Sequence, residues 1–239
     1  MTIFDTCLKI TSTLEGSDFS TVTGNFDGQG MSFGILQLNL KSETFKSNVL
    51  NFINVLSYDY FPVSIEPLQK LSGIDSVLWA KDIMLNYDNS VKKEWITAWG
   101  KFLTNPSIIN LQKKACDRYF HQAKCLTGKF GLSNTDKKVM AYFYDCAVQV
   151  WSMNVDLPSI KTEHVENILQ LYGVENMQLW QPLELSEIEK TLVVISHLRA
   201  IQCKQEWRID FFTRKCSIAI GVGIIHKQKY DFRKMFMEC

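Results

Sequence analysis

The sequence predicts a mainly α-helical fold of the α+β class, with a small β or irregular insertion near residues 20–40. Apolar residues recur at helical spacing along most of the chain, which is typical of packed helices. A cluster of glycines and β-branched residues interrupts that spacing between residues 20 and 40 and favours turns with short strands. Because 46% of the 239 residues are hydrophobic, the chain can bury a sizeable core. We expect one domain over residues 1–239, or two lobes within it.

The first predicted helix is amphipathic and ends at Gly16. Its apolar stripe consists of Ile3, Cys7, Ile10 and Leu14, and a glycine after the last apolar position is a common helix stop. Eight later segments carry the same kind of spacing, and prolines fall at or near several of their boundaries. These segments are residues 50–56, 77–84, 95–103, 108–126, 137–151, 164–172, 186–205 and 209–220.

Charge and cysteine usage argue against several classes of function. The net charge is +1, so the overall balance does not favour nucleic acid as a partner. The basic segment at residues 197–234 is typical of a solvated face, and an anionic partner is the alternative. Seven scattered cysteines without a C-x-x-C pair predict free, mostly buried thiols. Cys116, His121 and Cys125 fit a metal site poorly, so we predict no metal and no cofactor.

The apolar runs of the chain are too short to cross a bilayer. The longest run covers residues 216–225, whereas a spanning helix needs roughly 20 apolar residues. The N-terminal segment MTIFDTCLKITSTLEG carries an acidic residue at position 5 and no continuous apolar stretch, so it does not predict a secretory signal. We therefore expect no membrane span, synthesis in the cytoplasm, and a separate means of export if the protein acts outside the cell.

One carboxylate precedes the glycine cluster and a second lies within it, and the two have opposed predicted environments. Glu15 falls in the last turn of the first helix, where the helix dipole disfavours a negative charge and is expected to raise the pKa of the carboxyl group. Asp27 follows in a glycine turn, where backbone N–H groups favour the ionised form. Such a pair is the minimum equipment for glycoside hydrolysis. On these residues alone, a helix-end glutamate and a turn aspartate without catalytic roles remain an equal alternative.

The segment from Glu15 through FDGQGMSFGILQLN resembles the active-site region of goose-type lysozymes. It is also similar to the related chitosanases of the lysozyme-like superfamily, and the similarity covers roughly residues 10–40. Two weaker similarities, to bacterial and phage muralytic proteins, lie at YFYDCAVQ (residues 142–149) and at RKCSIAIGVGIIHKQKYDF near the C-terminus.

This resemblance implies a lysozyme-like fold and an inverting hydrolase that acts on peptidoglycan glycan strands. Glu15 would be the acid, Asp27 would position or deprotonate the attacking water, and Ser32 and Gln37 would bind sugar or water. Asn39 occupies a position that is often aspartate in the family, and asparagine cannot act as a base. The chain would then be a phage lytic enzyme or an injected antibacterial effector with a cognate immunity protein. A lytic transglycosylase, a chitosanase and an inactive glycan- or protein-binding module are the alternatives.

A polar stripe on a later helix supplies further candidate residues. Tyr142, Asp145 and Gln149 are spaced to share one face of the predicted helix 137–151. The stripe either lines the substrate cleft or faces water. Most of the tryptophans should lie in the core, with one or two available to stack on sugar. They are Trp79, Trp95, Trp99, Trp151, Trp180 and Trp207.

Overall fold

A computed structural model describes residues 1–149, 164–173, 175–181 and 183–238. The protein is mainly helical, with 60% helix and 7% strand, which confirms the predicted fold class at that level. The helices are α1 (Ile3–Glu15), α2 (Thr44–Asn48), α3 (Pro67–Lys70), α4 (Gly73–Ile83), α5 (Lys93–Leu103), α6 (Pro106–Lys129), α7 (Lys137–Val148), α8 (Val165–Tyr172), α9 (Met177–Trp180), α10 (Glu187–Ala200), α11 (Arg208–Ile220) and α12 (Arg233–Met237). The strands are β1 (Val22–Thr23), β2 (Ser32–Phe33), β3 (Leu38–Asn39), β4 (Val222–Ile225) and β5 (Gln228–Asp231).

The chain forms two compact units. One consists of Met1–Thr11 together with Tyr119–Cys239, and the other of Ser12–Arg118. We call them the 119–239 unit and the 12–118 unit. The predicted site residues between positions 15 and 39 fall in the 12–118 unit, and those between positions 142 and 149 fall in the 119–239 unit. Trp151 and the end of the predicted helix 137–151 lie outside the described residues.

A three-stranded antiparallel sheet occupies the predicted insertion near residues 20–40. β1 pairs with β2 and β2 pairs with β3, so that Val22 lies opposite Phe33 and Ser32 lies opposite Asn39. Phe33 is fully buried, and its ring stacks on that of Phe45 at 4.1 Å. The sheet is therefore fixed to the core of the 12–118 unit through β2.

A cluster of contacting aromatic side chains lies in the core of this unit. Trp95, Trp99 and Phe102 repeat at helical spacing on α5 and are all buried. The ring of Trp99 contacts the rings of Phe33, Phe61 and Phe102 at centroid distances of 4.6, 4.8 and 5.4 Å. Trp95 and Trp99 thus have packing roles, as expected for tryptophans at helical spacing.

The backbone conformation and the close packing at position 34, in the SFGILQ segment, require a glycine. Its φ of +70° lies in the left-handed region, and a Cβ built there would stand 1.9 Å from Oε1 of Gln112. Its N–H donates to the carbonyl of Thr21 at 2.7 Å. The glycine therefore allows the turn after β2 to approach both β1 and α6, which explains this letter of the motif in structural terms.

Replacing Gly34 with alanine is expected to lower the free energy of unfolding by about 2 kcal/mol or more. Left-handed backbone strain and the overlap with Gln112 act together at this position. Gly28 is the matched control, because it has a φ of +75° but open space around its Cβ position. Gly28→Ala should cost only about 1 kcal/mol, from the backbone strain alone. Urea unfolding of both variants measures the difference, and equal losses would contradict the steric argument.

The 119–239 unit is built around α7, which is buried on every side from Val139 to Ala147. The unit also contains α8, α10 and α11 and a β-hairpin of β4 and β5. Trp180 is buried, and its indole N–H donates to the carbonyl of Val222 at 2.9 Å. Asn176 exchanges two hydrogen bonds with the backbone of Ile224, so it extends the edge of β4 much as a neighbouring strand would.

Two predicted elements differ from the structure. Residues 50–56 form two short 3-10 turns, Leu50–Phe52 and Val55–Ser57, instead of one helix. Between them Asn54 is extended, and its side chain accepts a hydrogen bond from the N–H of Leu56, which starts the second turn separately. The predicted helix 186–205 ends at Ala200, and a 3-10 turn follows at Gln205–Trp207.

Candidate functional site

Glu15 is the last residue of α1 and is half-buried, as the helix stop at Gly16 predicts. Gly16 has a φ of +61°, which turns the chain out of the helix. Two hydrogen bonds then hold Ser17: its N–H donates to the carbonyl of Ser12 at 3.0 Å, and its hydroxyl donates to the carbonyl of Ile35 at 2.9 Å. The second bond ties the chain after Glu15 to the turn between β2 and β3.

Gln112 on α6 holds the same two segments together. It is only 2% exposed, and its Nε2 donates to the carbonyls of Phe19 and Leu103, each at 3.2 Å. Its Oε1 accepts from the N–H of Ile35 at 3.2 Å. A buried amide with satisfied donors and acceptor fixes backbone geometry at little energetic cost. Sequence reasoning missed this residue; the available signal was a glutamine on the apolar face of a helix, four residues after Ile108.

Asp27 lies in the loop between β1 and β2 and is exposed to solvent. One of its oxygens accepts from the N–H of Gln29 at 2.9 Å, and Oδ1 of Asn25 accepts from the N–H of Gly30 at 2.8 Å. The backbone N–H of Lys41 donates to the carbonyl of Gln29 at 3.1 Å. These bonds give the loop a defined shape and leave the carboxylate accessible to a ligand.

Ser32 on β2 lies opposite Asn39 on β3, and Gln37 lies in the turn that joins these two strands. The loop that carries Asp27 leads directly into β2. Oε1 of Gln37 accepts from the hydroxyl of Thr23 at 2.8 Å, and its Nε2 donates to the carbonyl of Gly34 at 3.3 Å. The side chain of Gln37 is therefore held by hydrogen bonds at both its oxygen and its nitrogen.

Asn39 is the last residue of β3, and its side chain organises the turn that follows this strand. Its Oδ1 accepts from both the backbone N–H and the hydroxyl of Ser42, at 2.9 and 2.7 Å. Its own N–H donates to the hydroxyl of Thr44 at 2.9 Å. An aspartate could accept the same bonds from Ser42, so the amide at this position does not alter the turn.

The polar stripe on α7 is neither a cleft wall nor a solvent face at its first two positions. Tyr142 and Asp145 are fully buried, and Gln149 is half-buried. The hydroxyl of Tyr142 is 2.8 Å from that of Ser196 on α10. The predicted exposure of these two positions is wrong, because helical spacing carries no information about the later segments that cover α7.

Asp145 is the centre of a buried charge cluster that we call the Asp145 cluster, formed with Arg214 and Lys215 of α11. Arg214 donates to both carboxylate oxygens, from Nε at 3.0 Å and from a terminal nitrogen at 2.6 Å. Nζ of Lys215, which is fully buried, donates to the same carboxylate. Burial by itself raises the pKa of Asp145, but the two cations and their hydrogen bonds outweigh it and hold that pKa well below its usual value.

Cavities occur in the 119–239 unit away from the predicted carboxylates. One of about 860 Å³ has a mixed lining, with apolar residues such as Leu169 and Trp180 beside charged ones such as Glu184 and Lys190. Two of about 340 Å³ lie beside α12 and beside the turn between β4 and β5. None of these three cavities includes Glu15 or Asp27. Among the described tryptophans Trp207 is the most accessible, at 55% exposed.

Within the described ranges, no group of three or more His, Cys, Asp or Glu side chains is placed to hold a metal ion. None of the described helices combines the length and the apolar character that a bilayer crossing requires. The six described cysteines are free thiols, and all of them except Cys125 are buried. No family model, no curated protein and no solved structure matches this chain.

Proposed function

We propose that the protein is a peptidoglycan hydrolase, an N-acetylmuramidase that cleaves the β-1,4 bond between N-acetylmuramic acid and N-acetylglucosamine. A lysozyme-like fold is part of this proposal. The proposal also includes action on the cell wall, after phage release or delivery by a secretion system. It includes an immunity or inhibitor protein as a partner. One observation carries it: the helix end bearing Glu15 is hydrogen-bonded to a small sheet whose first loop presents a second carboxylate, Asp27, to solvent.

In the proposed reaction Glu15 is the general acid and Asp27 the general base. Glu15 donates its proton to the glycosidic oxygen while the bond between that oxygen and the anomeric carbon breaks. A water molecule attacks the anomeric carbon from the opposite face of the sugar and transfers a proton to Asp27. Ser32, Gln37 and Asn39 shape the sheet beside the substrate. The bonds that Gln112 and Ser17 make keep the helix end and the sheet in register through the reaction.

Asp27→Asn is expected to lower the rate of peptidoglycan hydrolysis by about 100-fold, because asparagine cannot accept the proton of the water. The replacement keeps the oxygen that accepts from the N–H of Gln29, so the loop should hold its shape. Asp82→Asn, at an exposed aspartate on α4, is the matched control and should retain full activity. Release of reducing-end muropeptides, read by mass, measures both. Full hydrolysis by Asp27→Asn would contradict the role assigned to Asp27.

A lytic transglycosylase is the second candidate, and Asn39 favours it. That reaction needs an acid but no water-activating base, because the sugar's own hydroxyl closes a 1,6-anhydro ring. Because the amide of Asn39 cannot act as a base, a hydrolase would depend on Asp27 alone as its base. A transglycosylase would release anhydro-muropeptides and would retain most of its activity in Asp27→Asn. The product masses therefore distinguish the two reactions.

A further inference from the structure

Two loops of the 12–118 unit hold aromatic side chains out in solvent. Phe26 lies beside Asp27 in the loop between β1 and β2 and is 72% exposed. Tyr87 lies in the turn between α4 and α5 and is fully exposed. An exposed aromatic ring adds nothing to the core, and two rings on adjoining loops make a surface suited to a ligand. We call it the Phe26–Tyr87 surface.

The two loops are joined through their backbones. The N–H of Asn25 donates to the carbonyl of Asn89 at 3.1 Å. The loops also meet without an intervening side chain at Gly24, where a Cβ would stand 1.9 Å from the same carbonyl oxygen. Phe26 is one residue from this contact and Tyr87 is two residues from it. Consecutive Cα atoms are about 3.8 Å apart and those of a hydrogen-bonded pair about 5.5 Å, so the Cα atoms of Phe26 and Tyr87 lie within roughly 17 Å of each other.

The turn that carries Tyr87 has a fixed shape. An antiparallel bridge pairs Leu85 with Val91, and the N–H of Asn86 donates to the carbonyl of Ser90 at 2.8 Å. The carboxylate of Asp88 accepts from both the N–H and the hydroxyl of Ser90, at 3.0 and 2.6 Å. A ring on such a turn is presented at little further entropic cost when a ligand binds, which favours a binding role.

The neighbours of the two rings indicate the chemistry of the ligand. Asp27 follows Phe26, Asn86 and Asp88 flank Tyr87, and Asn25 precedes Phe26, so the aromatic faces alternate with carboxylates and amides. An acyl chain or an amphipathic helix would need a continuous apolar surface instead. A pyranose sugar matches the pattern, because its C–H face packs on an aromatic ring, whose face is electronegative, while its hydroxyls donate to carboxylate and amide oxygens.

We propose that the Phe26–Tyr87 surface binds a β-1,4-linked N-acetylhexosamine strand and guides it toward Asp27. The choice of ligand rests on the proposed function, since Phe26 is the chain neighbour of the proposed general base. Phe26 packs against the sugar nearest Asp27, and Tyr87 packs against a sugar farther along the same strand. The surface thus extends substrate recognition beyond the carboxylates to a second loop of the 12–118 unit.

Binding to purified peptidoglycan tests this inference in the Glu15→Gln background, where the strand stays intact. Phe26→Ala and Tyr87→Ala should each weaken co-sedimentation by about three- to tenfold. Phe26→Tyr and Tyr87→Phe should bind as tightly as the parent, because the aromatic faces remain. Phe52→Ala is the matched control, since Phe52 is 67% exposed in the same unit but lies in the separate 3-10 turn Leu50–Phe52.

Different results would overturn the inference about the Phe26–Tyr87 surface and the proposed function. Unchanged binding by both alanine variants, or an equal loss with Phe52→Ala, would overturn the Phe26–Tyr87 surface even if the wild type cleaves peptidoglycan. Weaker binding confined to the two alanine variants would support the surface even if the wild type cleaves nothing. In that case the protein would be a glycan-binding module and the assigned catalytic roles would be wrong.

Discussion

Glu15→Gln is expected to abolish measurable cleavage of peptidoglycan, with a loss of at least about 100-fold in rate. Glutamine has the size of glutamate but no acidic proton to transfer to the glycosidic oxygen. Glu15 is half-buried at a helix end, so the isosteric replacement should leave the free energy of unfolding nearly unchanged. The measurement is the mass of fragments released from purified peptidoglycan by the wild type and by the variant.

The control for this prediction is Glu94→Gln, at an exposed glutamate in the first turn of α5 within the same unit. It should cleave at the wild-type rate. Reducing-end fragments from the wild type, lost in Glu15→Gln alone, would establish a muramidase, and anhydro fragments lost in the same way would establish a transglycosylase. If neither the wild type nor Glu15→Gln released any fragment, the hydrolase proposal would be overturned in favour of a binding module.

Asp145→Asn is expected to lower the free energy of unfolding by about 3–5 kcal/mol. The substitution removes the negative charge that two cations share, and Lys215 is then fully buried without an ionic partner. Lys215→Met should cost less, because Arg214 still neutralises the carboxylate and methionine fills similar space. The contrast between the two variants in urea unfolding tests whether the Asp145 cluster is held by its carboxylate.

Asp231→Asn is the matched control for the Asp145 cluster. Asp231 pairs with Arg233 at the surface, where both partners keep their hydration, so its loss should have little effect. If Asp145 instead contacted substrate without a structural role, Asp145→Asn would impair activity and leave unfolding unchanged. That outcome would contradict the arrangement described for α7 and α11.

Because of the Asp145 cluster, we also expect the free energy of unfolding to fall at acidic pH. The pKa of Asp145 is lower in the folded protein than in the unfolded chain, so the unfolded state binds more protons as the pH falls. The contribution of this residue is therefore fully present above the unfolded pKa of about 4 and is lost as the pH drops toward the folded value. Asp145→Asn should flatten this part of the dependence of unfolding free energy on pH, measured between pH 5 and 2 (about the range in which carboxylates titrate).

The sequence predicts those features that depend on neighbouring residues. The apolar stripe that ends at Gly16 defines α1, and the glycine and β-branched pattern places the small sheet near residues 20–40. The hairpin of β4 and β5 escapes prediction because its two-residue turn, His226 and Lys227, has positive φ without the usual glycine or asparagine.

Partners far away in the sequence limit how much of the candidate site the sequence alone predicts. The spacing of Tyr142 and Asp145 predicts a shared face correctly, but their environment depends on Ser196, Arg214 and Lys215, which lie 54 to 70 residues later in the chain. Periodicity along one helix carries no information about such partners. For the same reason a polar stripe that looks suited to a cleft or to solvent lies in the interior of the 119–239 unit.

The hydrogen bonds of Gln112 affect how the candidate site forms during folding. Gln112 bonds to Phe19 and Ile35, which precede it by 93 and 77 residues, so the loop closures that these contacts require are long and entropically costly. A nascent chain or fragment that stops before α6 contains every letter of the glycine-rich motif and none of these bonds. Grafting residues 10–40 onto another scaffold would therefore carry over the carboxylates and their local hydrogen bonds, but not the bonds from Gln112 to Phe19 and Ile35.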